Sequence, residues 1–413
     1  MNSLRSQLAA MLPTRGGRLI LFGLPALLIL TAVLIGSPAS PAPTGSTAVM
    51  DLDASPDADA SPDLPDPLRP DPRDPAAGLP PGIAPEMAAA PGSIRDLFSW
   101  QRLSRAIVAS ILLWLITLAL IATLQRKLVF PGQMVFRDVR LDVASTGWDP
   151  KRLRDVTYRT GDGLDLGGWL SLADPSTSEL PAVVAGRPLA IYFGGNAGTR
   201  RMRLGSIDML NEIGLNVLIV DYRSFAGNPG RPSEESFVAD GIGLVERFQA
   251  DWSIPDDQVV LVGESLGGAI ATAVAAARCD AGHPPAALVL KATFASMTET
   301  AGFHYPFLPV SLMLIDRFPS DKRIGRVTCP LLQFHGSRDR VVPYEHGVRL
   351  FSLAPDRSAS GIEKRLITLP QSGHNDMQYV AAADLERETQ RFLREIGLLP
   401  VDEAEPAASE TTD

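Results

Sequence analysis

Six short apolar runs recur between residues 189 and 370, and helical stretches separate them. The runs are LAIYF (189–193), NVLIVDY (216–222), VVLVG (259–263), AALVLK (286–291), PLLQFHG (330–336) and KRLITLP (364–370). Because these runs are continuously apolar, they are typical of parallel strands that helices cover on both faces. Ahead of them, DVTYRTGDGLDLGGWLSL alternates apolar and polar residues around a Gly-Asp-Gly turn, which predicts an antiparallel hairpin. The sequence therefore predicts an α/β fold with a mostly parallel sheet.

Two longer apolar runs precede this region, LILFGLPALLILTAVLIG (19–36) and AIVASILLWLITLALIATL (106–124). Each is close to the roughly 20 residues that cross the hydrocarbon core of a bilayer as a helix. The second is apolar on every face and has two basic residues on each side, which predicts a transmembrane helix at 100–127. The first follows a basic segment, so residues 1–36 form either a first membrane span or a signal sequence.

Polar segments separate and follow these parts of the chain. Residues 37–92 contain 14 prolines among alanines and aspartates, and such a composition buries too little apolar surface to repay ordering. We therefore predict a disordered linker at 37–99 and a disordered acidic tail at 401–413. The folded part is expected at 128–400.

The net charge of −9 is unevenly spread along the chain. Residues 1–36 carry +3, residues 37–99 carry −7 and residues 401–413 carry −5, so residues 100–400 carry no net charge. Basic stripes interleaved with aromatic residues are absent, which disfavours nucleic-acid binding. The two cysteines form no C-x-x-C pair and the five histidines have no zinc spacing, so neither a metal nor an organic cofactor is predicted.

The basic residues beside the apolar runs predict a topology. Arg5, Arg15 and Arg18 hold the N-terminus inside, and the second run returns the chain inward, where Arg126 and Lys127 follow it. This arrangement predicts a membrane protein, at the inner or plasma membrane, whose C-terminal domain is cytoplasmic. If only the second run inserts with its N-terminus inside, the domain lies on the other side.

The sequence Gly263-Glu264-Ser265-Leu266-Gly267 matches G-x-S-x-G between a predicted strand and an alanine-rich helix. This context is what a nucleophile elbow needs, because the sharp turn lifts the serine hydroxyl above the carboxyl edge of the sheet. A tight strand–helix junction without chemistry gives the same local pattern. A phosphate-binding loop is disfavoured, since neither G-K-[ST] nor G-x-G-x-x-G is present here.

A serine nucleophile needs a base and an acid, and α/β-hydrolase folds supply them in the chain order Ser, Asp or Glu, His. His374 follows the last predicted strand, in LPQSGHND, and Asp339 follows the preceding strand, in HGSRDRVVP. Both loops lie at the sheet edge that carries Ser265, so these three residues are the predicted catalytic residues. Asp316 and Asp321 are poorer candidates for the acid, and His335 and His346 are interpreted as structural.

An oxyanion hole is predicted beside the elbow. YFGGNAG (192–198) ends a predicted strand and enters a loop, where glycines allow a backbone N–H, that of Asn196, to face developing negative charge. The Leu266 N–H, directly after the nucleophile, is the second predicted donor. A plain turn at Gly194-Gly195 is the alternative.

Residues 128–396 resemble an α/β-hydrolase, and most closely the membrane-anchored serine hydrolases of the bud-emergence type, which are related to protein depalmitoylases. The matching stretches, in chain order, are YFGGNAG, DYRSFAGNPGRPSE, LVGESLGG, YPFLPVSLMLIDRF, HGSRDRVVPYEHG and SGHNDM. The resemblance implies an eight-stranded sheet, the triad Ser265, Asp339 and His374, and oxyanion donors at Asn196 and Leu266. It also implies a short lid at about 294–327 and an N-terminal membrane anchor.

Two stretches depart from the pattern of that family. A histidine usually precedes the oxyanion glycine, but this chain has Gly194, so the support of the loop is expected to differ. The usual YRGYG is YRSFAG at 222–227, which alters a loop that lines the pocket. Neither change removes a predicted catalytic residue.

The combined features predict a membrane-anchored serine hydrolase that cleaves carboxylic ester or thioester bonds through an acyl-enzyme. The predicted lid is rich in Phe, Leu and Met, which suggests a lipid-like acyl substrate, although the same side chains could simply pack over the sheet. A peptidase or amidase is the alternative enzyme, because the same triad cleaves amides. A non-catalytic membrane scaffold with a hydrolase fold is the distant alternative.

Overall fold

The structure is a computed structural model of the chain, and it describes residues 100–135, 141–175 and 186–400. The strands are β1 (Leu153–Arg159), β2 (Asp165–Ser171), β3 (Leu189–Phe193), β4 (Asn216–Val220), β5 (Val259–Glu264), β6 (Ala287–Lys291), β7 (Leu331–Gly336) and β8 (Arg365–Leu369). The helices are α1 (Trp100–Val129), α2 (Gly132–Val135), α3 (Leu204–Ile213), α4 (Glu234–Trp252), α5 (Leu266–Asp280), α6 (Met297–His304), α7 (Val310–Met313), α8 (Tyr344–Leu353), α9 (Met377–Val380) and α10 (Ala382–Glu395). Short 3₁₀ helices cover Val143–Thr146, Arg200–Arg203, Asp256–Gln258, Ser320–Lys322 and Ile324–Arg326.

The eight strands form one sheet in the order β1-β2-β4-β3-β5-β6-β7-β8. The β1–β2 and β2–β4 pairs are antiparallel, and every other neighbouring pair is parallel. The predicted fold class, a mostly parallel eight-stranded α/β-hydrolase sheet, is confirmed. The parallel order brings the carboxyl ends of β3, β5, β7 and β8 to one edge, which we call the catalytic edge.

Both faces of the sheet are buried, and β3 shows why its sequence is continuously apolar. Leu189, Ile191 and Phe193 belong to the core on one face, while Ala190 and Tyr192 belong to the core on the other. Helices α4, α5 and α8 cover the first face, and α3 and α10 cover the second. Every side chain of β3 is therefore buried, as a central strand of a doubly covered sheet requires.

Helix α1 is long and stands apart from the core of the domain over most of its length. Its segment Leu103–Val129 has the length and composition of a membrane span, and its apolar residues are largely exposed. Directly after α1, Phe130 is fully buried and packs edge-on against Phe237 and Phe318 at centroid distances of 5.2 and 6.2 Å. Burial of one such ring stabilises a contact by about 1.5–3 kcal/mol, so it fixes the end of α1 on the domain.

Several sequence predictions fall on residues that the structure leaves undescribed. The apolar run at 19–36, the linker at 37–99 and the acidic tail at 401–413 lie outside the described residues.

A single final helix was predicted at 377–396, and it is instead divided into α9 and α10. The division falls at Ala381, whose φ of −130° and ψ of 29° lie outside the helical region.

Candidate active site

Ser265 occupies a strained turn between β5 and α5. Its φ of 53° and ψ of −116° are rare for a residue with a Cβ and cost about 1–3 kcal/mol. Two contacts hold the turn: the Ser265 N–H donates to the Lys291 carbonyl at 2.9 Å, and the Thr293 hydroxyl donates to the Ser265 carbonyl at 2.8 Å. The surrounding structure thus fixes Ser265 in a geometry that it would not adopt alone.

The glycines that flank Ser265 are needed because backbone approaches backbone there. A Cβ on Gly267 would lie 2.0 Å from the Phe193 carbonyl oxygen, at the end of β3. A Cβ on Gly263 would lie 2.6 Å from the Cα of Gly268. Any side chain at either position would force β3 or the start of α5 away from the turn, which explains the G-x-S-x-G pattern in physical terms.

The catalytic edge brings the three predicted catalytic residues together. His374 Nε2 lies 3.0 Å from Ser265 Oγ, and His374 Nδ1 lies 2.7 Å from Asp339 Oδ2. Asp339 and His374 stand in the loops that follow β7 and β8, so the parallel sheet places both beside β5. The arrangement can pass the hydroxyl proton of Ser265 to His374 while Asp339 binds the opposite ring nitrogen.

Asp339 is held as an anion by several donors. Its Oδ1 accepts hydrogen bonds from the N–H groups of Val341 and Val342 at 2.9 and 2.8 Å. Burial opposes ionisation of Asp339, but the donors from His335, His374 and Val342 outweigh it and hold the carboxyl pKa well below its ordinary value. Asp339 therefore carries its charge throughout the neutral pH range and fixes His374 with Nδ1 protonated.

His335 contacts Asp339, the predicted acid, and the sequence did not predict this contact. It is fully buried at the end of β7, and its Nε2 lies 3.5 Å from Asp339 Oδ2 and 3.0 Å from the Val342 carbonyl. The interpretation of His335 as structural is thus incomplete, because it also supports the loop that positions Asp339. The i, i+4 spacing of His335 and Asp339 was the available signal.

The predicted oxyanion donors lie on either side of Ser265. Leu266 is the first residue of α5, where backbone N–H groups have no partner within the helix. On the other side, a Cβ placed on Gly195 would lie 3.6 Å from Ser265 Cβ, so the loop that contains Asn196 passes directly beside the nucleophile. The Asn196 side chain donates from Nδ2 to the Val129 carbonyl at the end of α1.

A partly buried ion pair joins the loop after β3 to the turn that carries Ser265. Arg203 lies 2.9 Å from Glu264 Oε1 and donates to the Ala197 carbonyl at 3.3 Å. Tyr192 donates to Glu264 Oε2 at 2.6 Å. Burial would raise the pKa of Glu264, but the charges of Arg203 and Lys291 outweigh it and lower that pKa. Because Gly194 replaces the usual histidine, this pair supplies support for the loop that the family motif does not provide here.

Replacing Arg203 by lysine is expected to lower kcat about tenfold with little change in KM. Arg203 reaches both acceptors through Nη2, whose two hydrogens are fixed by the planar guanidinium. A lysine keeps the positive charge beside Glu264, but its freely rotating ammonium does not fix both directions, so the loop after β3 loosens. Steady-state kinetics on a soluble ester measure the effect. Arg201→Lys is the matched control, because Arg201 lies on the same 3₁₀ helix and its one side-chain hydrogen bond among the described residues is to the exposed Ser145 hydroxyl at 3.0 Å. Equal kcat values for the two variants would contradict the role of Arg203.

Comparison with known proteins finds relatives over the same part of the chain. The prolyl oligopeptidase family model matches residues 233–397. The uncharacterized protein Rv2307c of Mycobacterium tuberculosis (strain ATCC 25618 / H37Rv) is 37% identical over 246 residues, which are 60% of this chain and 81% of that protein. Lysophosphatidylserine lipase ABHD12 of Danio rerio is 30% identical over 236 residues, covering 51% of this chain and 61% of the lipase.

Solved structures also resemble this chain. Esterase Pf2001 of Pyrococcus furiosus is 17% identical with a TM-score of 0.48, and the match covers 63% of this chain and 97% of the esterase. An α/β-hydrolase from Vibrio vulnificus is 15% identical with a TM-score of 0.49, and the match covers 65% of this chain and 91% of that protein.

Proposed function

We propose, because this chain belongs to the α/β-hydrolase superfamily of serine hydrolases, that it is a membrane-anchored enzyme cleaving carboxylic ester or thioester bonds of lipid-like acyl substrates. The premise is that the chain is a hydrolase of the esterase or lipase kind. The observation that carries the finer proposal is the chain of contacts from Ser265 Oγ to His374 Nε2 at 3.0 Å and from His374 Nδ1 to Asp339 Oδ2 at 2.7 Å.

The proposed reaction has two halves. As Ser265 Oγ attacks the acyl carbonyl carbon, His374 Nε2 accepts the hydroxyl proton and Asp339 stabilises the resulting imidazolium. The carbon–oxygen or carbon–sulfur bond to the leaving group then breaks, and His374 returns the proton to that group. Water attacks the acyl-enzyme in the second half, with His374 again accepting and returning the proton, and the carboxylic acid leaves.

Negative charge develops on the carbonyl oxygen in each half of the reaction. We propose that the N–H groups of Leu266 and Asn196 donate hydrogen bonds to that oxygen. The position of both residues beside Ser265 supports this assignment. Each such donor contributes about 10²–10³ in rate, because it is oriented before the charge forms. The Arg203–Glu264 pair positions one donor relative to the other without touching the substrate.

Membrane attachment through α1 is part of the proposal. Leu103–Val129 has the length and composition of a span. The basic N-terminal segment at 1–36, together with Arg126 and Lys127 in the last turn of α1, supports a cytoplasmic position of that end by the positive-inside rule. A reporter fused after residue 400 tests the side: a cytoplasmic reporter such as β-galactosidase should be active and a periplasmic one, alkaline phosphatase, inactive. The reverse pattern would overturn the cytoplasmic placement of the catalytic domain.

The substrate class rests on the segment between β6 and β7 and on the relatives. This segment carries α6 and α7, and its apolar side chains include several that are exposed. A relative is named as a lysophosphatidylserine lipase, which supports an ester of a single-chain lipid as the first substrate to test. The prolyl oligopeptidase match favours a peptidase as the second candidate, since an amide differs from an ester only in its leaving group here.

A matched substrate series separates these candidates. The full-length protein in detergent is given p-nitrophenyl esters of rising chain length, a thioester and a p-nitroanilide with the same acyl group. We expect ester and thioester turnover that increases from two to about twelve carbons, and much slower anilide cleavage. Protein blocked beforehand with a fluorophosphonate is the control. Anilide cleavage as fast as ester cleavage would favour the peptidase, and indifference to chain length would overturn the lipid-like substrate.

A further inference from the structure

The most exposed large apolar side chains of the hydrolase domain are concentrated in one segment. Within the described residues from 141 onward, five such side chains are at least 60% exposed. They are Phe303 (60%), Phe307 (70%), Leu312 (83%), Ile315 (62%) and Tyr379 (86%). The first four lie between β6 and β7, in and around α6 and α7, and we call these four the apolar collar. Apolar side chains concentrated in this way mark a contact surface.

The apolar collar is fastened to the end of the membrane helix. Gln125 of α1 is buried and donates from Nε2 to the Met313 carbonyl at 3.1 Å, while its Oε1 accepts from the Ile315 N–H at 2.8 Å. One turn of α1 is therefore bonded to both sides of Leu314. Arg126 and Asp316 form an ion pair at 2.8 Å beside these bonds. The collar consequently cannot move relative to α1 without breaking three polar contacts.

The length of α1 sets the depth of that junction. Residues Leu103–Val129 form 27 residues of helix, which at about 1.5 Å per residue span roughly 40 Å. The hydrocarbon core of a bilayer is about 30 Å thick, and the uncharged residues 106–124 fill it, so the last turns of the helix, from Gln125 onward, emerge into the headgroup layer. Gln125, Arg126 and Lys127 lie in those turns, as side chains of the interfacial layer do. The attached collar therefore stands at the same interfacial depth.

The catalytic edge contacts both the membrane helix and the segment that carries the collar. At one end, the carbonyl of Val129 accepts from the Asn196 side chain in the oxyanion loop. At the other end, His304 at the end of α6 lies 2.8 Å through Nε2 from the carbonyl of Val341, whose N–H donates to Asp339. The two loops that flank Ser265 are thus each joined to a membrane-facing element.

We propose that the apolar collar inserts into the leaflet from which α1 emerges, so that Ser265 takes its acyl substrate laterally from the bilayer. This inference deepens the proposed function and rests on it, because it needs both the hydrolase site and the span at α1. The occupant of the collar is a lipid bilayer, since the chain itself carries a span that ends beside it. The substrate class is an acyl ester or thioester resident in the membrane.

Bilayer insertion is tested by a fluorescent probe on the full-length protein in phosphatidylcholine vesicles. Leu312→Cys, in a Cys279→Ser background, is labelled with a nitrobenzoxadiazole group. We expect blue-shifted emission and at least twofold quenching when brominated lipids replace the ordinary ones. Leu353→Cys is the control: it is exposed at the C-terminal end of α8, which runs away from the catalytic edge, and its probe should report water. Water-like emission at 312, or a blue shift without quenching that indicates contact with a second copy, would overturn the proposal.

Kinetic measurements test the collar proposal separately from the proposed esterase activity. The Phe307→Ser/Leu312→Ser variant is expected to lose about tenfold or more of its rate on a long-chain ester embedded in vesicles, with its rate on soluble p-nitrophenyl acetate unchanged. Leu353→Ser should keep both rates. Equal loss on both substrates, or loss on neither, would refute the collar. If the unmodified protein hydrolysed neither p-nitrophenyl acetate nor the long-chain ester, the proposed esterase would instead be refuted, while the probe experiment would still report on the collar.

Discussion

Replacement of Ser265 by alanine is expected to lower kcat by about 10⁶-fold and to abolish labelling by a fluorophosphonate. The variant keeps the backbone contacts that hold the turn, because the Lys291 carbonyl and the Thr293 hydroxyl bond to the Ser265 main chain. It removes only the atom that lies 3.0 Å from His374 Nε2. Substrate binding and the oxyanion donors remain, so KM should change little.

Labelling and turnover should be measured together on the full-length protein. Ser352→Ala is the matched control, since Ser352 lies on α8 and, within the part of the chain that the structure describes, its hydroxyl bonds only to the Arg349 carbonyl at 2.8 Å. Thermal unfolding should show that both variants are folded, because alanine adopts the positive φ of residue 265 at a cost like that of serine. Undiminished labelling of Ser265→Ala would disprove the nucleophile, and a residual rate within tenfold of the unmodified protein would do the same.

The sheet could be predicted from the sequence because its strands are buried on both faces. The run LAIYF predicted a strand at 189–193, and β3 covers those residues. Here the continuous apolar pattern reflects a local requirement, that every side chain of a covered strand meets a helix. The helix at 377–396 was less predictable. Its division at Ala381 depends on contacts such as the 3.0 Å bond between Gln378 and Ser206, which no local pattern contains.

The candidate site was predictable only in part, and for a similar reason. Ser265, Asp339 and His374 could be proposed because strand ends in a parallel sheet carry functional groups in a fixed order along the chain. The Arg203–Glu264 pair could not, since an arginine after a glycine-rich loop gives no local sign that it faces a glutamate 61 residues later. Substituting Gly194 for the usual histidine was the indirect signal that another support had to exist.

The contacts between α1 and the domain could not be predicted from the sequence either. Hydropathy and flanking charge predicted a span at 100–127, but they could not show that Gln125 bonds to both sides of Leu314. A lone glutamine near the end of an apolar helix is ordinary at a membrane interface. Its partners lie about 190 positions away. Such pairing depends on how the segment between β6 and β7 folds, so it becomes visible only in three dimensions.

The second large effect is expected at the acid, and it follows from the arrangement of donors around Asp339. Its Oδ1 accepts from two backbone N–H groups, and its Oδ2 faces His374 Nδ1 at 2.7 Å. An asparagine there must keep its carbonyl oxygen toward the N–H groups of Val341 and Val342. Its amide nitrogen then donates to His374 Nδ1, so the ring carries its proton on Nε2 instead.

We therefore expect Asp339→Asn to lower kcat by about 10⁴-fold while KM changes little, because Nε2 can no longer accept the proton of Ser265. Single-turnover kinetics of acylation should show the loss in the chemical step, and fluorophosphonate labelling should slow in parallel. Asp356→Asn is the control, since Asp356 is almost fully exposed and pairs with Lys364 at 3.1 Å. His335 lies 3.5 Å from the same carboxylate, but we do not expect it to take over the role of Asp339 in the variant. A loss smaller than tenfold would mean that Asp339 does not set the tautomer of His374.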